Sequence, residues 1–187
     1  MQHMKNQTYT LLSALVIAIS LIALTACARA SDDLKPPVIV PISLRESGDV
    51  LTKTIVVVDH NVYYFSLRFS FKENDQADRA RVKELIGSNE IDKEGKPLKR
   101  GLPTPVWLGI YAVDAGREIE VFTKEIDPIL TSWGGDNFKK VIGFTELKPG
   151  KYVVRLRSLR ASPEFNETPV ALGIGYDKFK TNFNSNK

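Results

Sequence analysis

Residues 62–71 read VYYFSLRFSF, and from this stretch the architecture follows. Tyr63, Phe65, Leu67, Phe69 and Phe71 alternate with Tyr64, Ser66, Arg68 and Ser70. A period of two puts one row of side chains on each face of an extended chain, whereas a helix would scatter the same apolar groups around its axis. The stretch is a strand with one face in a core.

Similar patterns lie on both sides. VLTKTIVVV (50–58) precedes it across Asp59, His60 and Asn61, residues of hairpin-turn character. VIVPISL (38–44) reads as an edge strand, because Pro41 has no N–H to give to a ladder. Downstream come PVWLGIYAVD (105–114), REIEVFTKEI (117–126), FKKVIGFTEL (138–147), KYVVRLRSL (151–159) and PVALGIGYDKF (169–179). Turn chemistry separates several of them, at Asp114 to Gly116 and at Pro149–Gly150, where a proline followed by a glycine is a type II signature. In the strand after Pro149–Gly150, Tyr152, Val154 and Leu156 are expected inward, with Lys151, Val153, Arg155 and Arg157 outward. Many short strands with regular turn signals predict a mainly β fold, an antiparallel β-sandwich of jelly-roll or Ig-like type.

One segment breaks the pattern. NDQADRARVKELIGS (74–88) has Asn74 or Asp75 as N-cap, acids early, bases late and Gly87 as a stop, which predicts an inserted helix. Its apolar stripe of Ala77, Val82, Leu85 and Ile86 is thin, so the helix should lie on the body of the domain. NEIDKEGKPLKRGLP (89–103) follows as a long charged loop.

The chain opens with a different signal. Lys5 precedes LLSALVIAISLIAL (11–24), an apolar run shorter than the roughly 20 residues that span a bilayer, which is the anatomy of a secretory signal. Leu24, Thr25 and Ala26 then form a lipobox before Cys27, the single cysteine, where cleavage and acylation would occur. The expected organisation is a lipoprotein signal peptide over 1–26, a lipidated N-terminus and tether over 27–37, and the sandwich over 38–187. Ala28, where an aspartate would resemble an inner-membrane retention signal, suggests the outer membrane with the body facing the periplasm.

Composition narrows the function. Without the first 26 of 187 residues, 161 remain, enough for one domain that buries about two-thirds of its unfolded surface. Only Lys5 of the 26 basic residues falls in the signal, leaving 25 against 22 acidic ones, a balance of +3. So small an excess, on an exported chain, argues against a nucleic-acid partner. After lipidation no thiol is left for a disulfide.

Catalytic chemistry finds little to work with. His3 leaves with the signal, and His60 reads as an exposed turn residue. No His, Cys and carboxylate spacing suits a metal, and the Asp32–Asp33 pair falls in the tether. The glycines of GDN (135–137) and LGIGYD (172–177) do not join a strand to a helix as a phosphate-binding loop requires. The expectation is a non-enzyme without a cofactor or metal.

Two features suit binding. The loop DPILTSWGGDN (127–137) places Trp133 beside two glycines and Asp136, so Trp133 is either an interface anchor or a plug for the end of the sandwich. Arg155 and Arg157 share a strand face that Arg68 would extend, which fits an acidic partner or lipid phosphates, or else plain solvated charge.

Taken together, the lipobox at Leu24 to Cys27, the PVIVPISL opening, VYYFSLRFSF and LKPGKYVVRLRSLRASPEFNETPVALGIGY resemble a family of small bacterial lipoproteins of unknown function. The resemblance implies a β-sandwich and an association with type VI secretion effectors. It implies an immunity protein that occludes a toxin, without assigning toxin-binding residues. The alternative is a non-catalytic periplasmic module for a small ligand or envelope polymer, with Tyr64 and Tyr111 as aromatic contacts.

Overall fold

The computed structural model describes residues 33–176. The signal peptide, the lipobox Leu24–Ala26, Cys27 and the tether up to Asp32 lie outside the described residues, as do Asp177 to Lys187.

Among the described residues nine strands make two antiparallel sheets: β1 (Val38–Ile42), β2 (Gly48–Val57), β3 (Asn61–Ser70), β4 (Val106–Asp114), β5 (Arg117–Ile126), β6 (Leu130–Gly134), β7 (Asn137–Leu147), β8 (Gly150–Ser158) and β9 (Val170–Tyr176). One helix, α1 (Gln76–Ile86), stands between β3 and β4. The five-stranded sheet has the order β1-β9-β3-β7-β6 and the four-stranded sheet β2-β8-β4-β5. The pairings are nested: β1 with β9, β2 with β8, β3 with β7, β4 with β5. Strands from the start of the chain therefore meet strands from its end, as in one long hairpin rolled into two layers. That is jelly-roll order with β6 added at an edge, and it selects the jelly-roll over the Ig-like alternative.

This order corrects two expected turns. β2 and β3 lie in different sheets, so Val58 to His60 form an arch between layers and not a hairpin turn. β7 and β8 are likewise split, and Lys148–Pro149 arch across. Gly150 accordingly pairs with Val57 as the first residue of β8 and does not take the positive φ of a type II turn. The Asp114 to Gly116 turn is a true hairpin between β4 and β5, with φ of 46° at Ala115 and 78° at Gly116, the paired positive values of a type I′ turn.

The inward rows are as the alternation predicts. Tyr63, Phe65, Leu67 and Phe69 of β3 and Tyr152, Val154 and Leu156 of β8 are buried in the core. Pro41 lies on β1, an edge strand paired only with β9. The body begins earlier than Val38: Leu34 N–H donates to Thr54 O (3.0 Å), Val56 N–H to Leu34 O (2.8 Å), and Asp33 pairs with Lys151. Two residues read as tether, Asp33 and Leu34, are thus docked on β8 and β2.

The two ends of the sandwich differ. The chain enters at the end that carries the arches at 58–60 and 148–149, the β4–β5 turn and the close of β9. The opposite end carries the 43–47 loop, α1 with its following loop, the β6–β7 turn and the 159–169 connection.

Candidate functional site

The site is built by α1 and the β6–β7 hairpin at the end away from the chain's entry. Asp75 caps the helix by accepting from Asp78 N–H at 2.9 Å, and Gly87, at φ 91°, stops it. A Cβ on Gly87 would collide with the backbone of Lys99 and Arg100, and one on Gly101, at φ 71°, with that of Ile86. The two glycines thus let the loop run against the helix end, where Ser88 N–H donates to Lys99 O and Leu102 N–H to Leu85 O, both 2.7 Å. Val82 and Ile86 are buried in the core, which fixes the roll of the helix. Gln76, Arg79, Ala80 and Lys83, spaced i, i+3, i+4, i+7, share another stripe and face the hairpin.

The segment 127–137, expected to be a loop, contains β6 and turns tightly into β7. Trp133 pairs across the ladder with Phe138, which is buried, while Trp133 is 55% exposed. At this exposure Trp133 does not plug the sandwich. With Leu130, Phe138 and the helix stripe it lines a groove of about 290 Å³. An adjoining hollow of about 450 Å³ shares Gln76 and Arg79 and is lined by Phe71, Glu73, Asp75 and Asp136. The Arg79 guanidinium lies 5.7 Å over the Phe71 ring, which packs 5.0 Å from Phe138. The Asn137 amide and Asp136's own N–H hold the Asp136 carboxyl below the usual carboxylate range, with Arg68 nearby adding to the effect. The concavity has an apolar floor, cations along one stretch and carboxylates along the next.

Trp133 and Asp136 thus come together with the inserted helix, while the arginines lie elsewhere. Arg155 and Arg157 project from the outer face of the four-stranded sheet, and Arg68 belongs to the other sheet, so the three do not form one cationic surface. Arg155 stacks 4.9 Å over Tyr111 and pairs with Glu118; Arg157 lies 5.7 Å over Trp107 and pairs with Asp49. Gly109 lies beneath both aromatic rings, which leave no room for a Cβ. The two arginines cover aromatic surface and already have carboxylate partners. Tyr64 and Tyr111 also lie on opposite sheets, so they share no aromatic platform. His60 is exposed in its arch, 2.5 Å from Glu146 Oε1.

Sequence reasoning missed Lys140. It is fully buried in β7, with Nζ donating to Leu102 O (3.2 Å) and Thr104 Oγ1 (3.3 Å) and lying 5.7 Å over the Phe69 ring. Burial pushes its pKa from 10.5 down to about 8; Asp127 opposes the shift and Arg100 adds to it. The signal was available, because Phe138, Lys140 and Ile142 alternate on one face. Lys140 and Asp127, which accepts from Thr104 N–H at 2.7 Å, fasten the stretch that leads into β4. Among the described residues no group of three His, Cys, Asp or Glu could hold a metal ion. Nor is any helix there long and apolar enough to cross a membrane.

Residues 39–176 match the family model described as "Domain of unknown function (DUF5625)". This chain belongs to the DUF5625 family. The matched range runs from the second residue of β1 to the last of β9, so the DUF5625 unit takes in the whole sandwich, α1 included. A crystal structure of GEBA250068378 from Sulfurospirillum deleyianum is similar, with a TM-score of 0.62 over 75% of this chain and 97% of that one. At 19% identity the likeness speaks for the fold of this DUF5625 protein alone. No curated protein matches the sequence.

Proposed function

We propose that this protein is a lipoprotein, held to the outer membrane through Cys27, that faces the periplasm and binds a protein partner at the groove between α1 and the β6–β7 hairpin. The reading extends to an immunity role, in which a type VI secretion effector is neutralised by occlusion without catalysis or cofactor. One observation carries the choice of surface: Trp133 stands 55% exposed beside an apolar-floored groove, at the end of the sandwich opposite the chain's entry. A tryptophan supplies a large rigid anchor, and surrounding polar groups exclude water from it on binding. An anchor at the entry end leaves the groove pointing away from the lipid and open to an incoming toxin. Tethering in turn raises the effective concentration against a partner that works at the membrane. The lipoprotein part rests on the lipobox, and the toxin on the resemblance.

The test is recovery of the lipidated protein from its native host with bound proteins identified by mass spectrometry, in parallel with Trp133→Asp. An exported toxin retained by the parent and lost from the variant supports the reading, together with killing of cells that lack this gene by toxin-producing siblings. Equal retention by both proteins, or no protein partner alongside tight binding of a glycan, defeats it. The alternative of a ligand- or polymer-binding module draws less support, since Tyr64 and Tyr111 do not share a face.

A further inference from the structure

We infer that the entry end of the sandwich rests directly on the bilayer through an apolar contact made by Val58, Val62 and Phe144. The inference depends on lipidation at Cys27, as proposed above. Five residues lie between Cys27 and Asp33, so even a fully extended link of six steps holds the first docked residue within about 20 Å of the lipid surface. Strands of ten residues are about 34 Å long, which puts the two ends of the body at very different distances from the membrane. The end held close carries apolar side chains that the described residues leave exposed. Val58 in the β2–β3 arch is 63% exposed, Phe144 58% and Val62 39%. Val62 and Phe144 are on adjacent strands, Val62 opposite Glu146 and Phe144 opposite Tyr64. Val62 and Phe144 are thus diagonal neighbours, with Val58 in the arch that leads into the same strand, and exposed apolar groups gathered at one end of a body mark a contact surface.

Charge at this end argues for an apolar contact over an electrostatic one. Lys151 is paired with Asp33, and Glu146 lies against His60. Among the described residues at this end, the cations Lys35, Arg117, Lys148 and Lys151 are balanced by the carboxylates Asp33, Asp59, Asp114 and Glu146, and leave no net positive field to draw the body to anionic headgroups. Three side chains are too little apolar area for a free protein to stay on a membrane, but enough to orient one already fastened there.

The test uses the full lipidated chain carrying Phe144→Trp in vesicles of phosphatidylethanolamine and phosphatidylglycerol with brominated acyl chains. Trp107 and Trp133, both toward the far end, are internal controls. The added indole is expected to shift to the blue and lose most of its emission, with the native indoles unaffected, and to behave the same in high salt or without phosphatidylglycerol. If protein floats with the vesicles and the added indole is quenched no more than the native ones, the docking is wrong while lipidation stands. Quenching abolished by salt also overturns it, because the contact would then be electrostatic. Protein that does not float and carries no acyl chain on Cys27 removes the lipoprotein reading and the docking together.

Discussion

Tyr63 and Tyr152 make the same hydrogen bond at the same position in two different arches. Tyr63, third in β3, donates its hydroxyl to Asp59 O at 3.0 Å; Tyr152, third in β8, donates to Lys148 O at 2.8 Å. Each bond reaches back four residues and ties the link between sheets to the strand it feeds, as in a tyrosine corner. Removing either hydroxyl frees an arch carbonyl while leaving the ring in the core. Tyr63→Phe and Tyr152→Phe should each cost about 1 kcal/mol, which for a domain of this size lowers the thermal midpoint by about 3 °C. Calorimetry of the two variants checks it; an unchanged midpoint in both would mean that the arches are held by packing alone.

Lys140 gives a pH dependence of known sign. Its folded pKa of about 8 lies below its ordinary 10.5, so between these values the unfolded chain binds more protons and stability rises with pH. The gain from this group reaches about 3 kcal/mol across that window. Burial chiefly, with Tyr176, Asp59 and Tyr152 adding, pushes the Tyr63 phenol up from 10.0, which acts oppositely and lowers stability as pH climbs past 10. Urea unfolding of Lys140→Met at several pH values should therefore lack the rise that the parent shows above pH 8. Parallel curves for the two proteins would refute the assignment.

The close approach of Gly87 and Gly101 predicts a backbone effect. Gly101→Ala puts a methyl group into the Ile86 backbone at a positive φ, and should cost about 2–4 kcal/mol. Hydrogen exchange is expected to rise in α1 and in the 88–103 loop before it rises in the sheets. Uniform protection in the variant would show that the loop does not depend on this contact.

Trp133→Ala tests the groove without threatening the fold. An anchor exposed to this degree contributes little to the core, so stability should change by less than about 1 kcal/mol. Affinity for the partner, once identified, should fall by at least about 2 kcal/mol, the size expected of a hot spot. A loss smaller than tenfold would place the binding surface elsewhere.

Arg155→Ala and Arg157→Ala should each cost no more than about 1 kcal/mol, because exposed ion pairs and cation–π contacts are individually weak. Their clearer signature is optical: Arg157→Ala uncovers the Trp107 ring and should shift its emission to the red. Partner binding should be retained by both variants, and its loss would return the arginine face to the candidate surfaces.

Local pattern made much of this protein legible. Alternation in 62–71 and 151–159 gave the inward rows, Pro41 an edge strand, and the 74–88 signals a helix stopped by Gly87 with Asn74 or Asp75 as its cap, of which the structure uses Asp75. These features depend on neighbours a few residues apart, which fix backbone conformation and side-chain face. Trp133 and Asp136 were also legible as candidate binding residues, because an aromatic between flexible residues stands out without knowledge of the fold.

Contacts between distant segments could not be read this way. Asp59 to Asn61 and Pro149–Gly150 carry turn chemistry whether the chain doubles back within a sheet or passes to the other one, and nested pairing of the first strands with the last settled that both pass across. The same long-range pairing put Arg68 on the sheet opposite Arg155 and Arg157, set the Gln76–Lys83 stripe beside Trp133, and enclosed Lys140. Which sheet a strand joins is fixed by burial summed over the whole core, and no short window of residues contains that sum.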